Sequence, residues 1–300
     1  MEHELAYQQR FFRYLSDERR YSQHTLKNYK IDIRRFLAYC NQGDIQNWSR
    51  LSFHHVQSFV MSENRADASS STINRRLSSV RSFLNFLVRE GVLKKNPALG
   101  VQTPKIAKRH PSTLDVDQVW DMLSKHVTEA IDVRDLAILE LLYSSGVRVA
   151  ELVGLNRHDI DLDEGLCRVR GKGNKTRMVP IGRYALAAIQ RWLPVRDVWM
   201  KSPDEQALFL SQRGERISIR NVQARLRAWG LKYGVSGRLH PHRMRHSFAS
   251  HLLESSGELK AVQELLGHAD ISTTQVYTHL DFQHLANVYD QAHPRAKRKE

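Results

Sequence analysis

Apolar residues recur at helical spacing through most of the chain. Leu26, Tyr29, Ile33, Phe36 and Cys40 fall on one face of a helix that Ser22 is placed to cap. Leu51-Ser52 opens a second such stretch, with Val56, Phe59 and Val60 on its apolar side. Ser69-Ser70-Ser71 opens a third, with Ile73, Leu77, Val80, Leu84 and Leu87 inward and Gly91 at the position that ends it. A leading helix around Leu5–Leu15 makes four. Residues 100–111 break the pattern. They are proline-flanked, basic and weakly apolar, which predicts a linker between a domain over 1–99 and another over 112–300.

The second domain opens with helical spacing near 115–124 and 132–144, the latter ended by Gly146. The period then shortens to two. Asp161–Gly165 reads as a turn, Leu166–Arg170 and Thr176–Ile181 as strands, and Gly171–Lys175 as the hairpin loop between them. Helical spacing resumes to the end, with a last amphipathic helix at Leu285–Asp290 and a basic tail over Arg295–Lys299. The pattern predicts a mainly α, two-domain protein with one small antiparallel sheet.

Charge sharpens the division. The chain carries +14 overall, and residues 1–110 hold 19 Lys/Arg against 9 Asp/Glu, whereas the remainder is only mildly basic. Such an excess suits a polyanion, so the first domain reads as a DNA-gripping module. Arg75, Arg76 and Arg81, placed on the outward side of the third helix, are its candidate phosphate or base contacts. Arg220 and Arg225 are candidates in the second domain. A solvated basic face is the bland alternative. The two cysteines, Cys40 and Cys167, lie in apolar-periodic segments and read as buried thiols. The N-terminus is polar, unlike a secretory signal, and no apolar run approaches the roughly 20 residues that span a bilayer. A cytoplasmic protein is expected, without membrane insertion.

No phosphate-binding glycine loop and no carboxylate cluster of a two-metal nuclease occur, so neither nucleotide nor metal is called for. What remains is Arg, Lys, His and Tyr. In Leu239–Phe248, Pro241 suits a helix start and places His242 and Arg245 on one face, with His246 able to compete with His242. Arg148 follows a helix-ending glycine and starts another helix. Lys172 sits on the hairpin tip, and His268 lies at a helix exit. Tyr277 falls one turn into a short helix that Ser272 is placed to cap. Each of these alone is more simply a packing or solvated residue. A tyrosine, with a pKa near 10, is a poor nucleophile unless cations stabilise its phenolate.

Taken in order, the set resembles the tyrosine recombinase/phage integrase family, whose series along the chain is Arg, Lys, His-x-x-Arg, His, Tyr. Here that series reads Arg148, Lys172, His242 with Arg245, His268 and Tyr277. The surrounding words Gly-x-Arg-x-x-Glu-Leu, His-x-x-Arg-His-Ser-Phe-Ala, Leu-Leu-Gly-His and Thr-Thr-Gln-x-Tyr-Thr-His resemble the bacterial Xer branch, and the likeness runs along essentially the whole chain. The resemblance implies a SAM-like four-helix DNA-binding lobe and an α-rich catalytic domain closing as a C-shaped clamp on double-stranded DNA. It implies Tyr277 as nucleophile, forming a 3′-phosphotyrosyl link without a cofactor. Arg148 and Arg245 would hold the phosphate, His242 would be the base, Lys172 the acid, and His268 would hydrogen-bond a phosphoryl oxygen or position a neighbour. It also implies resolution of chromosome and plasmid dimers during cell division at a dif-like site. There the chain would form a heterotetramer with an XerD-like recombinase, under an FtsK-like septal DNA translocase, with the terminal helix docking on a neighbouring protomer. An element-borne integrase would carry an added arm-binding domain, and the first lobe here starts almost at Met1. A non-catalytic regulator of this fold would have lost Arg148, Arg245 or Tyr277. A type IB topoisomerase shares the chemistry in a different layout.

Overall fold

The computed structural model describes residues 2–43, 45, 48–104, 113–171, 176–266, 288, 289 and 291–295, and it divides into two compact units, Met1–Lys108 and Arg109–Glu300. Most of the predicted linker, residues 105–111, lies outside the described residues.

Among its described residues the first unit holds four α-helices: α1 (Glu2–Arg13), α2 (Gln23–Gln42), α3 (Phe53–Arg65) and α4 (Ser70–Arg89). A π-type turn, Tyr14–Glu18, extends α1 beyond the helical pattern. The capping serines act as their positions predict. Ser22 Oγ accepts from the backbone N–H of Thr25, and Ser69 Oγ from that of Thr72. Each such cap stabilises a helix by about 1 kcal/mol. Phe11, Phe36, Phe59 and Phe83 fill the core, with Phe83 edge-on to Phe11 at 5.1 Å between centroids. Cys40 is buried in this core as a free thiol.

The second unit is arranged around α6 (Ala130–Ser145), which every face of the surrounding shell covers. All fourteen residues from Asp132 to Ser145 are buried. Helices α5 (Val116–Leu123), α8 (Arg183–Trp199), α9 (Ile219–Lys232) and α10 (Pro241–Ser256) pack on it. A central helix that is covered all round must find partners for its polar side chains, and α6 does so. Asp135 takes Arg134 and Arg225 at 2.6 and 2.5 Å, Asp132 takes Lys232 at 2.5 Å, and Glu140 takes Arg295. Helices α7 (Val149–Gly154) and α11 (Leu259–Leu266) complete the described helices.

The sheet has three strands rather than two. β2 (Leu166–Arg170) and β3 (Thr176–Pro180) form the predicted antiparallel hairpin, with Cys167 opposite Val179 and Val169 opposite Arg177. β1 (Ile160–Asp161) adds an edge strand against β2, a two-residue pairing too short to leave an alternating signature. Cys167 is buried and free. Among the described residues no helix is long and apolar enough to cross a membrane, and no group of three His, Cys, Asp or Glu is placed to hold a metal.

The described part of the chain end packs on this unit. Of the helix expected at Leu285–Asp290, Val288 and Tyr289 are described, and both are buried in the core of this unit. Tyr289 Oη lies 2.7 Å from Ser144 Oγ. Arg295, the first residue of the basic tail, is 3% exposed. Its guanidinium pairs with Glu140 and lies 4.1 Å from the ring centre of Tyr184 and 4.9 Å from that of Trp120. A buried carboxylate on α6 needs a cation, and the chain end supplies it. Residues 296–299 of that tail lie outside the described residues.

Candidate active site

Two of the six residues in the recombinase series meet through backbone geometry that the sequence dictates. Gly146 ends α6 at φ +59°, in the left-handed region that glycine enters without cost. The chain turns there, and Arg148 becomes the N-cap residue of α7. Arg245 lies one helical turn after His242 on α10, whose N-cap is His240 and whose first residue is Pro241. From there Arg245 reaches the ends of two other helices. It donates to the carbonyl of Gly146 at the end of α6 and, at 2.7 Å, to that of Leu266 at the end of α11. Helix C-termini present unpaired carbonyls and partial negative charge, so a guanidinium is well placed there.

Glu151, at the third position of α7 with its side chain only 4% exposed, acts on both arginines. Its Oε2 accepts from the backbone N–H of Arg148 at 2.8 Å, and its Oε1 accepts from the Arg148 guanidinium at 3.1 Å. Arg177 on β3 forks across both oxygens, at 2.8 and 3.0 Å. Burial by itself would raise the Glu151 carboxyl, but the Arg177 and Arg148 hydrogen bonds outweigh it and hold the group below the usual carboxylate range. Burial, and then the charge of Arg148, bring Arg245 down from its ordinary value to about 10, with Arg177 acting in the same sense. Two guanidinium groups therefore share one carboxylate, and a third, that of Arg245, feels its charge. The half-buried site carries an excess of two positive charges, which an arriving dianion or phosphodiester would relieve.

His242 is exposed on the first turn of α10, its ring edge-on to that of His240 at 6.5 Å. His246 is also exposed one turn further on. Lys172, His268 and Tyr277 lie outside the described residues. Glu151 and Arg177 were not among the expected site residues. The three-residue spacing of Arg148 and Glu151, an acid at the third helical position, is the capping signal that marks the first of them. Arg177 has no comparable signal, because a strand arginine reads as solvent-facing.

The candidate DNA contacts divide. Arg75 is exposed and pairs at 2.5 Å with the buried Asp32 of α2. Arg76 is mostly covered and pairs with the buried Glu63 of α3, which also takes Arg35 at 2.9 Å. Arg81 is not an outward residue. It donates to the carbonyls of Ala98 and Val101 at 3.2 and 2.6 Å and ties the chain after α4 back onto that helix. Arg225 is taken up by Asp135 and Asp132 of α6, and Arg220 stands exposed on the first turn of α9.

Both units match known families. Residues 112–284 match the phage integrase family, and residues 9–91 match the N-terminal SAM-like domain of phage integrases. Tyrosine recombinase XerC of Alcanivorax borkumensis is 51% identical over 292 residues, covering 97% of this chain and 94% of the relative. Tyrosine recombinase XerC of Pseudomonas syringae pv. syringae is 51% identical over 287 residues, covering 95% of each. A lambda integrase dimer bound to a core site is similar in fold, with a TM-score of 0.68 at 18% identity over 91% of this chain and 98% of that one. The matched models and the relatives span both units, and the chain belongs to the phage integrase family of tyrosine recombinases.

Proposed function

We propose that the chain is a site-specific recombinase that breaks and rejoins DNA through Tyr277, acting at a dif-like site with an XerD-like partner to resolve chromosome and plasmid dimers. The observation that carries the chemistry is the meeting of Arg148 and Arg245, from distant parts of the chain, around a carboxylate that neutralises only part of their charge. In phosphoryl transfer the transition state gathers negative charge on the non-bridging oxygens, and charge fixed there in advance is typically the largest catalytic contribution. The two guanidinium groups supply it, and each can fork onto two oxygens.

In this reading Tyr277 attacks the scissile phosphorus while its phenolic proton passes to His242. The bond to the 5′-oxygen breaks, and Lys172 protonates that leaving group as it departs. His268 donates to a phosphoryl oxygen. The products are a 3′-phosphotyrosyl link and a free 5′-hydroxyl, so the energy of the broken bond is kept and no nucleotide is consumed. A 5′-hydroxyl from a second duplex then reverses the chemistry and exchanges strands. The names of the relatives support the recombinase activity. Assembly into a heterotetramer under an FtsK-like translocase in the cytoplasm, and exchange of the chain end between protomers, extend that reading. Such exchange would have to break the Tyr289–Ser144 and Arg295–Glu140 contacts described above.

The test is a nicked suicide duplex carrying the recombination site, incubated in the presence of a chelator. The protein should form a covalent protein–DNA band that Tyr277→Phe does not form. A band of equal strength from the variant would overturn the assignment.

A further inference from the structure

The carboxylate of Glu151 receives four hydrogen bonds, and how they are shared bears on catalysis. Two come from Arg148, one of them from its backbone. The guanidinium contact from Arg148 is the longest of the four, at 3.1 Å. The other two come from Arg177 as a parallel fork at 2.8 and 3.0 Å, the geometry in which a carboxylate is held most firmly. Arg177 is 12% exposed and Glu151 4%, whereas Arg148 is 40% exposed. The firm pair is therefore covered, and the residue expected to meet phosphate stands at the open side. The Arg177 Nε is buried with no partner among the described residues, so the fork to Glu151 is what this side chain gains from its place on β3.

We infer that Arg177 is a positioning residue for DNA cleavage: by occupying both oxygens of Glu151 from the sheet side, it keeps that carboxylate from capturing the guanidinium of Arg148, which stays available to the scissile phosphate. This rests on the recombinase reading above. Without Arg177, the full charge of Glu151 falls on Arg148, the one cation left in contact with it among the described residues. Arg148 then swings into a two-point pair, and the phosphate must compete with a buried carboxylate for its ligand. The same fork ties β3 to the first turn of α7, so the arginine also sets the distance between the sheet and the phosphate ligand. Lysine keeps the charge at this position and loses the fork.

The experiment measures single-turnover cleavage of the suicide duplex at saturating protein, with duplex affinity and thermal melting followed in parallel. Arg177→Met should cleave about 100-fold more slowly, the scale expected when a phosphate ligand is displaced by an ångström or so. Its affinity for intact duplex should stay near that of the parent chain. Arg177→Lys should fold normally and recover part of the rate, and it carries the test if the methionine variant melts early. In a Glu151→Gln background, which removes the competing charge, Arg177→Met should cost about tenfold or less, because the two changes act through one carboxylate. Cleavage by Arg177→Met at the parental rate overturns the inference, as do losses that multiply in the double variant or a loss matched by weakened binding. If the parent chain itself forms no covalent adduct, the recombinase reading fails and this inference falls with it. A parental adduct together with an unaffected Arg177→Met refutes the inference alone.

Discussion

His293 is the place where acid should loosen the chain end. It is fully buried, its ring stacked on Tyr289 at 4.8 Å and tilted against Tyr143 at 5.0 Å. Its Nε2 lies 3.2 Å from the carbonyl of Tyr143, and its Nδ1 accepts from the backbone N–H of Arg295. The titratable or charged groups facing it are Tyr143, Tyr289, His251 and Arg295, and none can stabilise an imidazolium as an anion at neutral pH. Burial lowers it from 6.5 to about 3, with the charges of His251 and Arg295 adding to the effect. A depressed pKa contributes stability that is complete above the unfolded value of 6.5 and is lost as the pH falls toward 3. Between about pH 7 and about pH 5 the unfolded histidine takes up its proton and the folded one does not, which costs about 2 kcal/mol. In a unit of this size that is a fall in Tm of roughly 4–8 °C. The assay is urea unfolding followed by tryptophan fluorescence, since Trp120, Trp192, Trp199 and Trp229 all lie in the second unit. His293→Gln keeps a donor for Tyr143 but cannot titrate. It should start from a lower stability at pH 7 and lose about 2 kcal/mol less than the parent over the same interval. Equal losses in the two proteins would refute the argument, because every other titrating group is common to both.

Two further substitutions probe the frame. Gly146→Ala places a methyl against the ring of Phe248 and 3.1 Å from Leu266, at a positive φ, and should destabilise the second unit by about 2–4 kcal/mol in a urea titration. Because the Gly146 carbonyl holds Arg245, cleavage measured on the folded fraction should fall as well. Arg81→Ala removes donors to two backbone carbonyls and should cost the first unit about 1–3 kcal/mol while leaving the salt dependence of DNA binding unchanged. A salt slope lower by about one would instead make Arg81 a phosphate contact.

The elements were legible wherever a local signal set them. Ser22 and Ser69 cap α2 and α4, Gly146 ends α6, and Pro241 starts α10, each within the residues that the chemistry of caps requires. β1 was not legible, because two residues carry no period. Nor were the roles of the charged side chains. Arg75, Arg76 and Arg81 looked alike in sequence. What separates an exposed head on Asp32 from one mostly covered on Glu63, and both from a tie to Ala98 and Val101, is a set of partners brought in by folding. The place of Arg295 was not legible for the same reason, since its partner Glu140 lies in the middle of α6. The site was expected from an ordered series of residue types, of which Arg148, His242 and Arg245 lie among the described residues. The carboxylate that organises it was visible only as the spacing of Glu151 from Arg148, and the fork from Arg177 depends on the register that sets Val169 opposite it.

The proposed chemistry turns on which tyrosine takes the phosphate. Tyr289 is ill suited, being 1% exposed with its hydroxyl against Ser144. The direct measurement is to digest the covalent protein–DNA adduct with protease and identify the nucleotide-bearing peptide by mass spectrometry. A single modified peptide with the added phosphate on Tyr277 is the expected result. Modification of Tyr289 or any other residue would contradict it.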